Sequence, residues 1–460
     1  MRSIVISSNC SGGGKTTVTL GIMKALINRG YEVQGYKVGP DYIDTAFHSF
    51  ITKKSSRNLD LYLMGEDGVK ASYSRGLGHY GVIEGVMGLY DGKGIDTEYS
   101  TAHVSKVLNL PVVLVISPKA QVATLCAEIN GMISFDNINI AGVILNNVSE
   151  GYYNLLKLSI ETYCNIKVFG YVPNCSELEL KSRHLGLVQS SEVQELGEKI
   201  DRCSKLLESY VDMDSLIEAF RETEVYKDKF HLKDKGITTA VAMDKAFSFY
   251  YKENLELLEE LGEVVYFSPL EDKSIPSNID FLYIGGGYPE VFAEQLSSNK
   301  PMLKSIRDYL EKGGRTYAEC GGLMYLTEKI FNDADSKEYF YYAVGFFKGS
   351  AFMSKKLQNF GYAELNIKNS KSMLSKDLRI TCQEFHKSYV ELEESTVYKV
   401  EKRLVNGEII KWDCGYFKKN AIAGYAHVHF FNNMDMLQEL IGINANKKYI
   451  ADCDLEYKNK

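Results

Sequence analysis

Residues 3–28 restrict the fold of this chain more than any other stretch. The apolar run SIVISS leads into NCSGGG and then KTTVTLGIMKALIN, whose apolar residues recur at helical spacing up to Gly30. A strand, a glycine turn and a helix in that order make a phosphate cradle. Glycines let backbone N–H groups wrap an anion, and the helix start favours its charge. Lys15 can reach the β- and γ-phosphates, and Thr16 can ligate Mg²⁺. Ser11, Gly12, Gly14 and Thr17 complete the candidate ATP-binding loop. The pattern G-x-x-x-x-G-K-[ST] fails only at its first position, which is Asn9.

The alternation continues. Strand-like runs at 33–38, 80–86, 111–117, 140–145 and 166–172, with helical stretches such as 120–133 between them, predict a parallel sheet covered on both faces. Residues 189–234 turn polar and helix-forming, and KDKFHLKDKG then reads as a linker. A second alternation has strand runs at 237–243, 263–267, 280–284 and 316–319 and helices near 248–261 and 302–312. Further strands follow at 360–367, 409–417 and 421–430. The expected organisation is an ATP-dependent domain over 1–190, a helical connecting segment over 191–235, a second α/β domain over 236–446 and a tail over 447–460.

YKVGPDYID (36–44) follows the second strand, and IEGVMGLYDG (83–92) contains the end of another. Strand ends are the ligand-binding edge of such a sheet. There Asp41 and Glu84 are either Mg²⁺ ligands or ordinary surface acids. Asn146 either reads an adenine edge or is a turn residue.

RTYAECGGLMYL (315–326) is a strand, then Cys320 with two glycines, then a helical run. A cysteine on such a turn stands exposed above the sheet, and the helix start is expected to lower its pKa. Gly321 and Gly322 let N–H groups approach an oxyanion. FLYIGGGYPEVF (281–292) offers more donors at a second strand–glycine–helix junction. A base is needed, and His427 and His429 would share a side if YAHVHF is a strand. The other eight cysteines read as buried and structural.

KVGPDYID, RNLDLYL, EGVMGLYDG and RHLGLV together resemble the cobyrinic acid a,c-diamide synthase family, over nearly the whole chain to about residue 446. The resemblance implies an α/β protein. Its N-terminal P-loop NTPase domain would be dethiobiotin-synthetase-like, and its C-terminal class I glutamine amidotransferase domain flavodoxin-like. It implies that Lys15 and Lys37 stabilise phosphoryl charge, that Thr16, Asp41 and Glu84 hold Mg²⁺, and that Asn146 recognises adenine. Tyr42, Asp44, His48, Asn58, Asp60 and Asp91 become candidates for the corrinoid side. Cys320 would attack glutamine and His427, matched to Y-x-H, would activate it. Gly286, Gly287 and the N–H of Gly321 would form the oxyanion hole. The chain departs from the family at Thr45, where proline is usual, and at Cys382-Gln383, where Gly-His precedes the Glu. His429 stands where ordinary class I domains carry a glutamate, which favours a Cys–His dyad.

The reaction implied is ATP- and glutamine-dependent amidation of two acetate side chains of cobyrinic acid, by a carbon–nitrogen ligase of cobalamin biosynthesis. Rival readings are hydrogenobyrinic acid or a nickel sirohydrochlorin as substrate, cobyric acid synthase, and a nucleotide-switch protein with a glutamine-sensing domain. A net charge of −7 removes the broad positive field that nucleic-acid binding needs. The nine cysteines form no CxxC pair and no run of about 18 apolar residues occurs, so a cytoplasmic chain with reduced thiols and no membrane partner is expected. Its oligomeric state is left open.

Overall fold

The computed structural model describes residues 1–175, 190–333, 339–368, 372–376 and 378–443. RHLGLV and the tail over 447–460 lie outside the described residues. The chain forms two compact units, one of Met1–His231 with Tyr250–Glu256, the other of Leu232–Phe249 with Leu257–Lys460.

In the first unit β1 (Arg2–Ser8), α1 (Lys15–Asn28), β2 (Val33–Val38), α2 (Tyr42–Thr52), β3 (Arg57–Leu59), α3 (Leu61–Arg75) and β4 (Tyr80–Glu84) follow one another. Then come α4 (Thr101–Val107), β5 (Val112–Ile116), α5 (Ala123–Phe135), β6 (Ile140–Asn146), α6 (Glu150–Tyr163) and β7 (Lys167–Val172). The strand order is β3-β2-β4-β1-β5-β6-β7, and every neighbouring pair on that path is parallel. Strands buried on both faces explain the continuous apolar runs in the sequence. The connection from β1 runs to β2 on one side and that from β4 runs to β5 on the other, which opens a crevice at the strand C-termini.

The segment expected as a connector is part of this unit. α7 (Ser190–Tyr210) and α8 (Met213–Glu218) follow β7, and Cys203, Leu207, Met213 and Leu216 join the core with Ile4, Val18 and Ile22. The contact is close: a Cβ on Gly21 of α1 would lie 2.6 Å from both Cys203 Sγ and Leu207 Cδ1. The apolar stripe of α7 was visible, but not what would bury it.

The short β8 (Arg221–Glu222) closes the first sheet beside β1, and α9 (Lys252–Leu261) is divided, its residues to Glu256 belonging to the first unit and those from Leu257 to the second. The second unit contains β9 (Thr239–Ala242), β10 (Phe247–Phe249), β11 (Val264–Phe267), β12 (Phe281–Ile284) and β13 (Gly286–Gly287). α10 (Ala293–Ser298), α11 (Lys300–Glu311), β14 (Arg315–Glu319), α12 (Gly321–Leu326), β15 (Lys329–Phe331) and β16 (Phe340–Tyr342) come next. Its sheet begins as β11-β9-β12-β14 and the later β21 (Ala421–Gly424), all parallel. It continues antiparallel through β20 (Ile409–Lys418), β19 (Thr396–Arg403) and β17 (Gly349–Ile367). β18 (Arg379–Leu392) pairs with β17 and carries β22 (His427–Val428) on its other edge.

Two expected elements are corrected. The helix anticipated from residue 248 starts at Lys252, because Phe247 and Phe249 pair with Gly287 and Gly286. The single strand expected over 421–430 breaks after Gly424, where the chain leaves β14 and joins β18.

If α7 belongs to the first core, Leu207→Ala should cost about 3 kcal/mol, because Leu207 is fully buried and its loss leaves a cavity. Urea unfolding of the full chain measures this. A loss below about 1 kcal/mol would return α7 to the role of a loose connector.

Candidate active sites

The loop after β1 depends on two glycines at φ +76° (Gly12) and +92° (Gly14), a region that other residues enter only with strain. Gly14 also leaves no room, since a Cβ there would stand 2.0 Å from Asn146 Nδ2. Asn146, at the end of β6, donates to the Gly13 carbonyl at 3.2 Å. The amide expected at an adenine edge is therefore engaged by the loop itself. Asn9, in place of the motif's first glycine, donates to Glu128 Oε1 on α5 at 2.6 Å. Ser11 and Gly12 are exposed at the loop's crest, and Thr17 is half-buried.

Lys15 is buried, with Nζ donating to the carbonyls of Cys10 and Met87. Burial and then the Lys37 ammonium push its pKa below the ordinary lysine value, against the pull of Glu84. An ammonium held only by carbonyls can exchange them for phosphate oxygens.

Strand register brings opposite charges together beside it. Lys37 of β2 is the cross-strand neighbour of Glu84 of β4, with Nζ 3.1 Å from Glu84 Oε1 and 2.6 Å from Asp44 Oδ2. Glu84 is fully buried and accepts from Thr16 Oγ1 at 2.5 Å, with His48 Nε2 at 2.7 Å. Burial alone would raise the pKa of Glu84, but Lys37, His48 and Thr16 hold it well below the usual carboxylate range. Lys37 is held above the ordinary lysine value, since Glu84 and Asp44 outweigh its burial. Asp44 shares an ammonium already matched to Glu84, so burial and the Glu84 charge push it up to about 7.

Other candidates act as internal braces. Asp41 caps α2, its Oδ1 accepting from the N–H of Ile43 at 2.7 Å and of Asp44 at 3.0 Å. Asp60 caps α3 in the same way, and Asn58 donates to the carbonyls of Gly39 and Asp41. His48, Asn58 and Asp60 were expected to face an organic substrate. Each is at most 3% exposed and bonded within the unit. Polar residues near a motif look alike in sequence whether they point out or in. Asp91 is exposed, its Oδ2 accepting from Gly88 N–H at 2.8 Å, and the Tyr42 ring lies 4.9 Å from that of Tyr251.

The second site is built on β14. Cys320 has φ 48° and ψ −102°, a strained backbone for a residue with a side chain. The surroundings enforce it: Cys320 N–H donates to the Gly424 carbonyl at 2.7 Å. A Cβ on Gly321 would lie 2.8 Å from Pro289 Cδ and 3.1 Å from Gly287 N. One on Gly322 would lie 2.4 Å from the Ile284 carbonyl oxygen. Gly287 N thus borders the elbow. Gly286 packs against His427, where a Cβ would stand 2.5 Å from its Cε1.

The thiol contradicts two expectations. First, Cys320 is buried and not exposed above the sheet. Instead of lowering the Cys320 pKa, the site pushes it far above the ordinary thiol value. Burial is the largest cause, and Glu290, Glu384 and Glu319 add to it against a single Gly321 N–H. α12 has six residues, too few for its N-terminus to win.

His427 is buried in β22 beside Gln383 of β18. His429 lies beyond the strand, where its Nδ1 accepts from Phe431 N–H at 3.2 Å at the start of a 3₁₀ turn. The two histidines do not share a strand. Glu319, which the sequence reading passed over, has Oε2 3.6 Å from His427 Nδ1. Its only local mark is its place at a strand end, one residue before Cys320. Glu384 was also missed; it accepts from Trp412 Nε1 at 3.2 Å and lies 3.0 Å from His386 Nε2.

A phosphate loop in one unit and a nucleophile elbow in the other define a nucleotide-binding protein fused to a glutamine amidotransferase. Residues 4–188 match the CobQ/CobB/MinD/ParA nucleotide binding domain, and residues 238–435 the CobB/CobQ-like glutamine amidotransferase domain. The chain belongs to the cobyrinate a,c-diamide synthase family. It is 63% identical over 444 residues to cobyrinate a,c-diamide synthase of Clostridium acetobutylicum, covering 96% of this chain and 100% of that protein. The Clostridium tetani enzyme of that name is 63% identical over 441 residues, with the same coverage. That of Listeria innocua is 43% identical over 454 residues, covering 96% of this chain and 99% of its own.

Asp44 gives a pH test. Its folded pKa of about 7 stands above the unfolded value, so its favourable contribution is complete below the unfolded pKa and is lost as pH rises through about 7. Asp44→Asn escapes that loss. Its stability relative to the parent should therefore climb between about pH 4 and pH 7 in urea titrations. A flat difference over that interval would mean Asp44 is not held up.

Proposed function

We propose that the chain amidates the a- and c-acetate carboxylates of cobyrinic acid, each cycle consuming one ATP and one glutamine. The observation that carries the reading is the presence, in one chain, of a P-loop backed by two buried lysines and of a strained cysteine with a buried histidine. Carboxylate activation and ammonia release are the two halves of one amide synthesis. The names of the full-length relatives point to the same substrate.

In the first half, a substrate carboxylate oxygen attacks the γ-phosphorus of ATP and ADP leaves, giving an acyl phosphate. Lys15 and Lys37 balance the charge on the transferring group. Thr16 and the ionised Glu84 form an oxygen donor pair that suits Mg²⁺, with Asp41 nearby; the ion when bound would neutralise phosphate charge. Tyr42, Asp44 and Asp91 are the more accessible candidates for the organic substrate, ahead of the buried His48, Asn58 and Asp60. In the second half, Cys320 forms a glutamyl thioester and releases ammonia, with Gly287 and Gly321 N–H groups at the oxyanion. Ammonia attacks the acyl phosphate, phosphate departs, and water returns the thioester to glutamate. A cytoplasmic setting suits an enzyme that needs a free thiol and ATP.

Cys320→Ala should abolish glutamine-dependent product and spare ammonia-dependent product. Loss of neither would remove the amidotransferase reading and favour a nucleotide switch. Mass spectrometry with cobyrinic acid, ATP, Mg²⁺ and glutamine should show two successive amide gains. Gains only on hydrogenobyrinic acid, a nickel sirohydrochlorin or an already diamidated corrinoid would reassign the substrate.

A further inference from the structure

We propose that Glu319 is a positioning residue that orients His427 and balances its charge, completing a Cys–His–Glu arrangement with a carboxylate from the residue before the nucleophile. The inference rests on the amidotransferase reading of Cys320 and His427 and adds a member to that site. Catalytic triads are recognised by geometry and role, not by position in the chain.

Glu319 is 1% exposed and sits at the end of β14, in register with Gly424 of β21. Its Oε1 accepts from the backbone N–H of Val428 at 3.1 Å. Its Oε2 accepts from Tyr283 Oη–H at 3.1 Å and lies 3.6 Å from His427 Nδ1. The carboxylate therefore grips the two-residue strand that carries the histidine, and Tyr283 fixes the oxygen that faces the ring. The Cε1–Nε2 edge of the ring lies against Gly286, with Nε2 3.3 Å from where a Cβ would be. With Nδ1 directed at Glu319, the nucleophile is served by Nε2.

A separation of 3.6 Å is too long for a hydrogen bond in the resting state. It is short enough to close when the ring gains charge, and catalytic contacts commonly tighten only with substrate bound. The resting thiol makes such a partner necessary. Burial and the carboxylates of Glu290, Glu384 and Glu319 keep the Cys320 thiol protonated, so thiolate forms only if its proton has a stabilised acceptor. His429, at the place where a glutamate would be sought, is turned toward Phe431.

The step balances without an added reactant. The Cys320 S–H bond breaks and its proton passes to His427 Nε2, while sulfur forms a bond to the glutamine amide carbon. The carbonyl electron pair moves to oxygen beside the Gly287 and Gly321 N–H groups. As the carbonyl reforms, the C–N bond breaks and nitrogen takes the proton from Nε2, leaving as ammonia. Glu319 holds the charge of the imidazolium throughout and takes no proton.

Glu319→Gln keeps the size and an acceptor but removes the charge. Its glutaminase kcat should fall about 100-fold, with KM for glutamine within about twofold. Glu319 of β14 is the carboxylate beside Nδ1, Tyr283 of β12 donates to it, and Gly286 of β13 packs on the ring. Removing that carboxylate should move the acid limb of kcat/KM to lower pH by about one unit. Glu319→Asp keeps the charge but withdraws it by one methylene. Its kcat should fall between parent and Gln variant, with the limb closer to the parent's. A Gln variant with kcat within about threefold of the parent overturns the proposal, as does a fall in rate with the limb unmoved. If the Gln variant melts early, the Asp variant decides, and a parental kcat there also overturns it. Cys320→Ala is assayed alongside. If it keeps glutamine-dependent turnover, the amidotransferase reading fails. If it loses that turnover while Glu319→Gln does not, only the role of Glu319 fails.

Discussion

The contact between Glu84 and Lys37 is the constraint on which the first unit turns. A carboxylate with no exposure costs several kcal/mol to bury unless its charge is matched and its oxygens are bonded. Glu84 meets both conditions: Lys37 and Thr16 hold Oε1, and His48 holds Oε2. Each partner comes from a different element, β2, α1 and α2, so one buried charge fixes the relative positions of three pieces of chain. The braces around it follow. Ser56 lies 3.1 Å from His48 Nδ1, and Asn58 closes the β2–α2 loop from the neighbouring strand. The same demand explains why residues that look like substrate contacts are buried.

The second unit answers a related problem with different means. Its critical charge would be transient, because the resting thiol is neutral and a thiolate would face three carboxylates. What is fixed in advance is geometry: a strained φ at Cys320, glycines at 321 and 322 without space for a side chain, and a short β22 hung from β18. Strain of this kind costs about 1–3 kcal/mol and persists only where neighbours over-determine it. The bond from Cys320 N–H to Gly424 and the close packing of Gly322 on Ile284 supply that determination.

Much of this was legible from the chain alone, wherever local signals agreed. α1 has the predicted bounds because GGGK sets its start and Arg29-Gly30 its end, and β2 because an apolar run is bracketed by turns. Errors arose where tertiary partners override local preference. FSFYYKENLELL has helical periodicity from its first residue, yet Phe247 and Phe249 are claimed by Gly287 and Gly286. YAHVHF alternates like one strand, but its residues are divided between β22 and a 3₁₀ turn. β3, three residues long, is too short to carry a period. At the sites the nucleophile and the phosphate loop were visible because glycines mark them. Glu319 was hidden because its partner lies 108 positions away, and nothing local distinguishes it from a strand-end acid.

The upward shift of the Cys320 thiol shows why a helix start in a sequence does not fix a cysteine's pKa. The sequence shows the GG that begins α12, but the opposing terms come from Glu290 after β13, Glu384 in β18 and Glu319 in β14. Each carboxylate near a buried sulfur costs more than the same group in water, because little solvent lies between them. A short helix offers a fraction of a charge, and three nearby acids exceed it. The resting thiol is thus neutral, because burial and the acids contributed by three separate elements together oppose a thiolate more than the start of α12 favours one.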